Sequence, residues 1–368
     1  MSVSRASALG QLLIVGLHDD RWSRSLERML RALQPSGVLL LPGSLRAPGQ
    51  TAELLHKIAR TLSDPPFLAI AEEGGSVDPL QALLPPLPAP RALARCGPTS
   101  VRRSGELIGS ALKLLGLNLN FAPRLDLSNP DVKPARDAQT FGPDAKHVAA
   151  CGKAFIEGLR QHDVLACGKH FPGRGMPEYN ENGLPVVGKT MAALWREDLL
   201  PFRELLPALR LVKLSNVSYK AYDFDVVQPA AVSSKVVHDL LRVKLGYRGL
   251  AVADTLELPF EMSPERLRRQ GATLNLSVIL NSIRAGCDLQ VVSWGPEIAE
   301  TVFPAMQKEL EAGSLTQERV EEALRRIRTV KNGLRRPSGK VSARSFDRLA
   351  CEFEEFGQRV SSGGDIEA

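Results

Sequence analysis

The sequence predicts an α/β protein that forms a single (β/α)8 barrel of the TIM type. Eight short apolar runs recur along the chain, and amphipathic segments separate them. The runs are continuously apolar rather than alternating, which is typical of parallel strands covered on both faces. Eight such units in roughly 300 residues favour the barrel, with an open doubly wound sheet as the alternative. The length of 368 residues would also suit two smaller domains.

The predicted strands are rich in leucine, valine and isoleucine. In a barrel of this kind, functional side chains lie at the C-terminal ends of the strands. The eight strands are predicted at Gln11–Leu17, Gly37–Leu41, Pro66–Ala71, Leu117–Pro123, Val164–His170, Leu211–Val217, Gly249–Asp254 and Asp288–Ser293.

The amphipathic segments predict the helices of the barrel. The clearest lies near the end of the chain, where Thr316 is the predicted N-cap and Asn332–Gly333 the stop signal. Its apolar stripe has helical spacing. Further helices are predicted within Ser23–Gln34, Thr51–Ser63 and Ser234–Gly246.

We assign residues 1–335 to the barrel and residues 336–368 to a C-terminal tail. The tail begins with "RRPSGKVSARSF", which mixes charge, serine and glycine with little periodicity. The stretch "FDRLACEFEEFGQRV" that follows has helical spacing. The tail is therefore predicted to be a peripheral helix or to be partly disordered.

Composition argues against several function classes. The 47 basic residues are interleaved with 41 acidic ones, giving a formal charge of +6, so nucleic acid is not an expected partner. The five cysteines show no C-x-x-C spacing, so we expect no disulfide framework, no metal and no cofactor. No apolar segment approaches a membrane span and no leader is evident, which predicts a cytoplasmic protein without a membrane partner.

Polar side chains collect where the predicted strands end. Carboxylates, a Lys-His pair and amide donors, without a metal set, suit a small neutral ligand with many hydroxyls, such as a carbohydrate. These residues are Glu72, Glu73, Arg124, Asp126, Lys169, His170, Ser215, Asn216 and Asp254.

Asp254 is the strongest candidate for chemistry, because it directly follows the apolar "GLAVA". A carboxylate there could attack an anomeric carbon as a nucleophile. Position alone is equally consistent with a cap on the following helix.

The other polar residues also have structural interpretations. Lys169 and His170 could be a strand-end pair tied to neighbouring carboxylates. At least one of Glu72 and Glu73 could belong to a solvated turn before two glycines. Asp126 is more typical of a turn, and Asp288 of an anchor between a helix and a strand.

Several motifs resemble glycoside hydrolase family 3, in particular its single-domain bacterial β-N-acetylhexosaminidases. The matching stretches occur in the family's order from about Gln11 to Gly333. They include "AIAEEGGSV", "LNLNFAPRLDLSNP", "QTFGPD", "GKHFPGRG", "LGYRGLAVADTLEL" and "AGCDLQVV".

The resemblance implies a TIM-type barrel and a retaining mechanism that hydrolyses O-glycosides. It identifies Asp254 with the family's nucleophile, which forms a covalent glycosyl intermediate. It also identifies Lys169 and His170 with ligands of sugar hydroxyls. The further predicted substrate contacts are Glu72, Arg124, Gln139 and Asn216.

Four departures from the family's pattern fall within one predicted pocket. Ala71 stands where the family has a sugar-binding aspartate, Ser76 replaces an arginine, and Gln139 replaces a sugar-binding arginine. The loop "MPEYNENGLP" lacks the acid/base histidine and the aspartate that orients it. Losing general acid catalysis typically costs about 10²–10⁴ in rate, which predicts altered specificity or reduced activity.

Two functions are consistent with these residues. In the first, the protein is a retaining glycosidase in which Glu181, or else Glu178, supplies the proton. In the second, it is a catalytically silent barrel that binds a sugar or a protein partner. The second explains the replaced residues together but leaves the retained Asp254 and Lys169–His170 without a role.

Overall fold

The computed structural model describes residues 5–128, 137–175, 177–179, 185–254, 276–292 and 296–362. Within these ranges, the strands are β1 (Leu13–Leu17), β2 (Gly37–Leu40), β3 (Phe67–Ile70), β4 (Leu119–Asn120), β5 (Leu165–Phe171), β6 (Pro177–Tyr179), β7 (Pro185–Val187), β8 (Leu211–Leu214), β9 (Ser218–Tyr219), β10 (Leu250–Asp254) and β11 (Leu289–Val292).

Eight of these strands form a closed parallel barrel, in the order β1-β11-β10-β8-β5-β4-β3-β2. The ring closes where Ile14 of β1 pairs with Val291 of β11. Each of the eight predicted apolar runs contains one barrel strand. The prediction of a (β/α)8 barrel is therefore confirmed over the open doubly wound sheet.

Helices surround the barrel. The predicted N-cap is present, because the Thr316 side chain accepts a hydrogen bond from the Arg319 amide at 3.2 Å. The described α-helices are Arg5–Gly10, Arg24–Leu33, Pro48–Thr61, Pro90–Arg95, Pro98–Leu115, Ala145–Arg160, Met191–Arg196, Leu200–Leu205, 276–285, Pro296–Glu311, Gln317–Lys331 and Ala343–Ser362, and Lys235–Lys244 is a π-helix. Among the residues described, no helix has both the length and the apolar character needed to cross a bilayer.

The C-terminal tail packs against the barrel through the helix Ala343–Ser362. Phe346, Phe353 and Phe356 of this helix are buried. Arg103, on the helix Pro98–Leu115, donates to Glu352 at 2.9 Å. An apolar face and a charged contact thus hold this helix against the outer layer of the barrel.

A second, smaller sheet contains the remaining strands. β6 pairs antiparallel with β7, and β7 pairs parallel with β9. β6 and β7 follow barrel strand β5, and β9 follows barrel strand β8. The segments that leave the C-terminal ends of two barrel strands are therefore joined in one sheet.

Alternation along the strands fills the barrel interior with apolar side chains. Cys167, Leu211, Leu250 and Val252 belong to a single buried cluster inside the ring. Because successive side chains of a strand point to opposite faces, residues two positions further along each strand face the interior as well. By this alternation, polar residues near the C-terminal ends of the strands also point into the barrel interior.

At the opposite end, Asp288 is fully buried beside three arginines. Its carboxylate accepts from Arg242 at 2.5 Å, from Arg319 at 2.7 Å and from Arg326 at 3.0 Å. The amide of Ala251 donates to it at 3.0 Å. Asp288 therefore joins β10 to two helices, in agreement with its predicted role as an anchor.

We expect Asp288→Asn to lower the free energy of unfolding by about 3–5 kcal/mol, because it leaves buried arginines without their counter-charge. Urea unfolding followed by circular dichroism measures the loss. Asp239→Asn is the matched control, since Asp239 is paired with His238 on the exposed surface and should change stability by less than about 0.5 kcal/mol. Equal stability of the two variants would contradict the anchoring role.

Candidate active site at the C-terminal end of the barrel

Three charged side chains form the uppermost polar layer of the barrel interior. Lys169 of β5 pairs in register with Lys213 of β8, and Lys213 pairs with Val252 of β10. Asp254 lies two residues beyond Val252 and so faces the same side. The exposed fractions are 4% for Lys169, 4% for Lys213 and 6% for Asp254. The barrel thus places Lys169 and Asp254 on the two strands that flank β8, with Lys213 between them.

Lys213 contacts Asp254 directly. Its Nζ donates to Oδ2 of Asp254 at 3.0 Å. The side-chain amide of Asn216, just beyond β8, lies 3.4 Å from the backbone carbonyl oxygen of Asp254. The candidate nucleophile is therefore held from the neighbouring strand through both its side chain and its main chain.

A second ion pair lies beside the first. Glu73, which follows β3, contacts Lys169 through Oε1, and Arg124 Nε lies 3.8 Å from Oε2 of Glu73. Burial alone would raise the pKa of Glu73, but the Lys169 and Arg124 cations hold it below its usual value. Burial lowers the pKa of Lys169, and repulsion from Lys213 adds to this effect.

His170 is part of a buried dyad. Its Nδ1 lies 2.7 Å from Oδ2 of Asp126, and its backbone amide donates to Oδ1 of Asp126 at 3.2 Å. The amide of Arg174 donates to the same Oδ1 at 3.0 Å. Burial would raise the pKa of Asp126, but the charge and hydrogen bond of His170 lower it. Asp126 therefore fixes the loop after β5, which is more than a turn residue does.

Glu72 is placed differently from its neighbour Glu73. It is fully buried, and its two carboxylate oxygens accept from the amides of Gly74 and Leu80 at 2.7 and 3.0 Å. Burial, together with the nearby carboxyl of Asp78, raises the pKa of Glu72 well above its ordinary value. Glu72 thus holds the loop after β3, while Glu73 lies beside Lys169.

Gln139 makes its described contacts with the same loop. Its Nε2 donates to the Gly74 carbonyl at 3.0 Å and to Glu73 at 3.3 Å, while its Oε1 accepts from the Ser76 amide at 3.0 Å. Gly75 has a φ of +62°, and a Cβ there would lie 2.4 Å from Oε1 of Gln139. Only a glycine fits this close approach. Gln139 therefore holds the loop that follows β3 through these hydrogen bonds.

The two candidate proton donors follow β5 in the sequence. Glu178 is exposed on β6, where it pairs in register with Val186 of β7. Glu181 lies outside the residues that the structure describes. Its role as the proton donor stays a prediction.

Sequence reasoning missed Lys213, and it listed Glu73 but chose Glu72 as the substrate contact. Lys213 was hidden inside the predicted strand "LVKL", where a lone charge between apolar neighbours signals an interior-facing position close to a strand end. Glu73 was not separated from Glu72, because the two are adjacent and only the fold decides which one faces the pocket.

The site offers a carboxylate at Asp254 and a group of hydrogen-bonding charges around it. In the described ranges, no group of three or more histidine, cysteine, aspartate or glutamate side chains is arranged to hold a metal ion. A carboxylate next to charges that can bind hydroxyl groups suits group transfer at a carbohydrate.

The chain resembles known proteins over nearly its whole length. The family model for the glycosyl hydrolase family 3 N terminal domain matches residues 6–330. A beta-hexosaminidase from Pseudomonas aeruginosa is 30% identical over 292 residues, which cover 78% of this chain and 84% of that protein. A beta-N-acetylglucosaminidase/beta-glucosidase from Cellulomonas fimi is 29% identical over 340 residues, or 89% of this chain, and the match spans 57% of its length.

Solved structures agree with the barrel. The family 3 beta-N-acetylglucosaminidase from Paenibacillus sp. FPU-7 superposes with a TM-score of 0.81 at 26% identity, over 97% of this chain and 69% of that one. The beta-N-acetylhexosaminidase from Beutenbergia cavernae gives 0.77 at 27% identity, over 90% of this chain and 99% of that one. By the family match and the barrel together, the chain belongs to glycosyl hydrolase family 3.

Proposed function

We propose that the protein is a retaining glycosidase of the β-hexosaminidase type that acts through a covalent glycosyl-Asp254 intermediate. The observation that carries the proposal is the position of Asp254, at the C-terminal end of β10 and paired with Lys213. Barrel enzymes carry their catalytic groups at this end of the strands. The relatives' names supply the class of substrate, a hexosaminide.

In the first step, an oxygen of Asp254 supplies the electron pair of a new bond to the anomeric carbon. The glycosidic bond breaks, its electron pair stays on the leaving oxygen, and that oxygen takes a proton from the general acid. In the second step, water gives a proton to the same residue and attacks the anomeric carbon, and the bond to Asp254 breaks. The sugar keeps its anomeric configuration, because each step inverts it.

Sugar hydroxyls are proposed to bind at the charges around Asp254. Glu73, Lys169 and Arg124 form one connected group, and hydrogen bonds to charged groups contribute about 1.5–3 kcal/mol each. Glu73 suits this role better than the predicted Glu72, whose carboxylate oxygens already accept from backbone amides. Asn216 lies next to Asp254 and is a further candidate.

Specificity is proposed to differ from that of the named relatives. Gln139 has no charge, and its amide group bonds the loop after β3. Ala71 and Ser76 also lack the charges that the family's pattern places at their positions. The pocket therefore offers fewer charged contacts to an N-acetylglucosaminyl group.

We expect common N-acetylglucosaminides to be cleaved slowly or not at all. Losing one charged contact costs about 1.5–3 kcal/mol, so three losses together weaken binding of the transition state by several kcal/mol. Steady-state kinetics with a chromogenic N-acetylglucosaminide measures the effect. A kcat/KM on the order of 10⁴ M⁻¹s⁻¹ or higher would contradict the expectation.

Intact-mass measurement tests the proposal itself. The protein is incubated with a panel of activated fluorinated glycosides, which form the glycosyl-enzyme and hydrolyse slowly. The expected result is a mass increase of one glycosyl group that is absent from Asp254→Asn. The panel member that reacts also reports the sugar. No adduct with any glycoside would reject the proposed function.

The alternative is a silent barrel that binds a carbohydrate or a protein partner without cleaving it. The observation that favours it is Gln139, since a residue at a sugar-binding position of the family is here bonded to Gly74 and Ser76. Under this alternative, a binding isotherm with a hexosaminide would be measurable while no adduct forms. The two outcomes separate the hypotheses.

A further inference from the structure

Lys213 is a buried lysine that contacts the proposed nucleophile, Asp254. A lysine on a barrel strand has to bring a charged ammonium group into an apolar interior, and that is costly unless a partner compensates. Here Lys213 is 4% exposed and follows Leu211 on the interior face of β8. Its Nζ lies 3.0 Å from Oδ2 of Asp254.

The contact with Lys213 also stabilises the buried carboxylate of Asp254. A carboxylate that is 6% exposed at the C-terminal end of an apolar barrel is costly to bury unless a cation lies beside it. Donation to Oδ2 fixes one oxygen. The other oxygen of the carboxylate is then held in a defined orientation, as a nucleophile needs to be before attack.

We propose that Lys213 is the positioning residue of the reaction: its ammonium group holds Oδ2 of Asp254 and directs Oδ1 toward the anomeric carbon. This inference rests on the proposed glycosidase function and goes beyond it, because it assigns a role to a residue that the sequence motifs do not mark. Lys213 acts through Asp254 and forms no bond to the sugar.

The charges around Asp254 support this assignment. From β8 it contacts Lys213, and from β5 it lies near Cys167. On β11, the residue in register with Asp254 is the apolar Val291. Lys169 is engaged by Glu73, and burial raises the pKa of Cys167 to about 12, so that thiol is uncharged at neutral pH. Lys213 is therefore a cation that balances Asp254 by direct contact.

The test is the rate at which an activated fluorinated glycoside forms the covalent adduct, followed by intact mass across a range of pH. Such a substrate isolates the attack by Asp254, because its leaving group needs no proton. Lys213→Met keeps most of the length of the side chain and removes its charge. We expect adduct formation about 10²-fold slower, the scale of losing one preorganised electrostatic contact.

The charge-retaining variant gives a readout that a merely structural role would not move. Lys213→Arg keeps a cation beside Asp254 and should form the adduct within about 10-fold of the wild-type rate across the pH range, whereas Lys213→Met should stay slow.

Lys331→Met is the matched control. Lys331 is also a buried lysine, with 8% of its surface exposed, and its Nζ donates to Gln11 at 3.1 Å. It ends the helix Gln317–Lys331, and Gln11 precedes β1, so this contact lies at the other end of the barrel. We expect its adduct rate and pH profile to match the wild type.

The outcomes separate this inference from the function on which it rests. If the wild type forms an adduct and Lys213→Met forms it at the same rate, the positioning role is rejected and the glycosidase stands. Faster attack in Lys213→Met would also reject it, because the ammonium would then restrain the carboxylate. If the wild type forms no adduct with any glycoside, the glycosidase and the positioning role fall together.

Discussion

Asp254→Asn is expected to abolish glycosidase activity on every substrate, lowering kcat by at least about 10⁴-fold. The amide has no ionised oxygen, so the covalent intermediate cannot form, whatever the leaving group. Kinetics on the best substrate of the panel, together with intact mass, measures the loss. Asp239→Asn makes the same substitution at an exposed aspartate and should leave kcat unchanged.

The variant must also be shown to fold. Asp254→Asn leaves the Lys213 ammonium group buried beside a neutral amide, and breaking a buried pair in this way costs about 3–5 kcal/mol. The double variant Lys213→Met/Asp254→Asn removes both charges and should recover stability while staying inactive. If the folded Asp254→Asn variant kept more than about 1% of wild-type activity, Asp254 would not be the nucleophile.

The barrel could be predicted from sequence because its signal is repeated. Each of eight runs is apolar on both faces, and no single run has to be decisive. The Thr316 cap was predictable for a local reason, since a threonine before a helical stripe needs only its own next three residues to form the bond. The cap depends on a contact between residues that are close in sequence, and the barrel depends on a pattern that is repeated over eight strands.

The site was less predictable, because its contacts join distant parts of the chain. Lys213 and Asp254 are separated by 41 positions, and only the register of β8 with β10 makes them neighbours. The same holds for Asp126 and His170, which sequence reasoning assigned to separate tasks. Glu72 and Glu73 are adjacent yet face different surroundings, since their side chains point in opposite directions.

The identity of the proton donor can be tested by substituting the glutamates of one loop. The loop "MPEYNENGLP" contains two glutamates and no histidine. Counting back from Gly183-Leu184-Pro185, Glu181 falls nearest to the position of the family's missing pair. Glu178 follows Pro177 on β6 and is exposed there. We therefore propose Glu181 as the acid/base.

A glutamate can replace the imidazole only if its pKa lies near the working pH, which burial or a neighbouring carboxylate would bring about. Retaining enzymes that use two carboxylates hold them about 5–5.5 Å apart. A Glu181 carboxyl across the pocket from Asp254 would meet both conditions, because the negative charge of Asp254 favours the protonated form.

Glu181→Gln is then expected to discriminate between leaving groups. Glycosides that leave without a proton should form the intermediate at nearly the wild-type rate, while those with basic leaving groups should react about 10²–10⁴-fold more slowly. Breakdown of the intermediate should slow for both classes, since water loses its general base. Added azide attacks without a base, so it should restore part of the turnover and yield a glycosyl azide.

Glu178→Gln is the matched control, with the same substitution three residues earlier in the same loop. If it, rather than Glu181→Gln, shows the dependence on leaving group and the azide rescue, the proton donor is Glu178 on β6. If neither variant changes the rate with either class of substrate, the donor is outside this loop. That outcome would reject Glu181 and Glu178 as the acid/base while leaving Asp254 as the nucleophile, whereas a silent barrel would show no turnover in the wild type either.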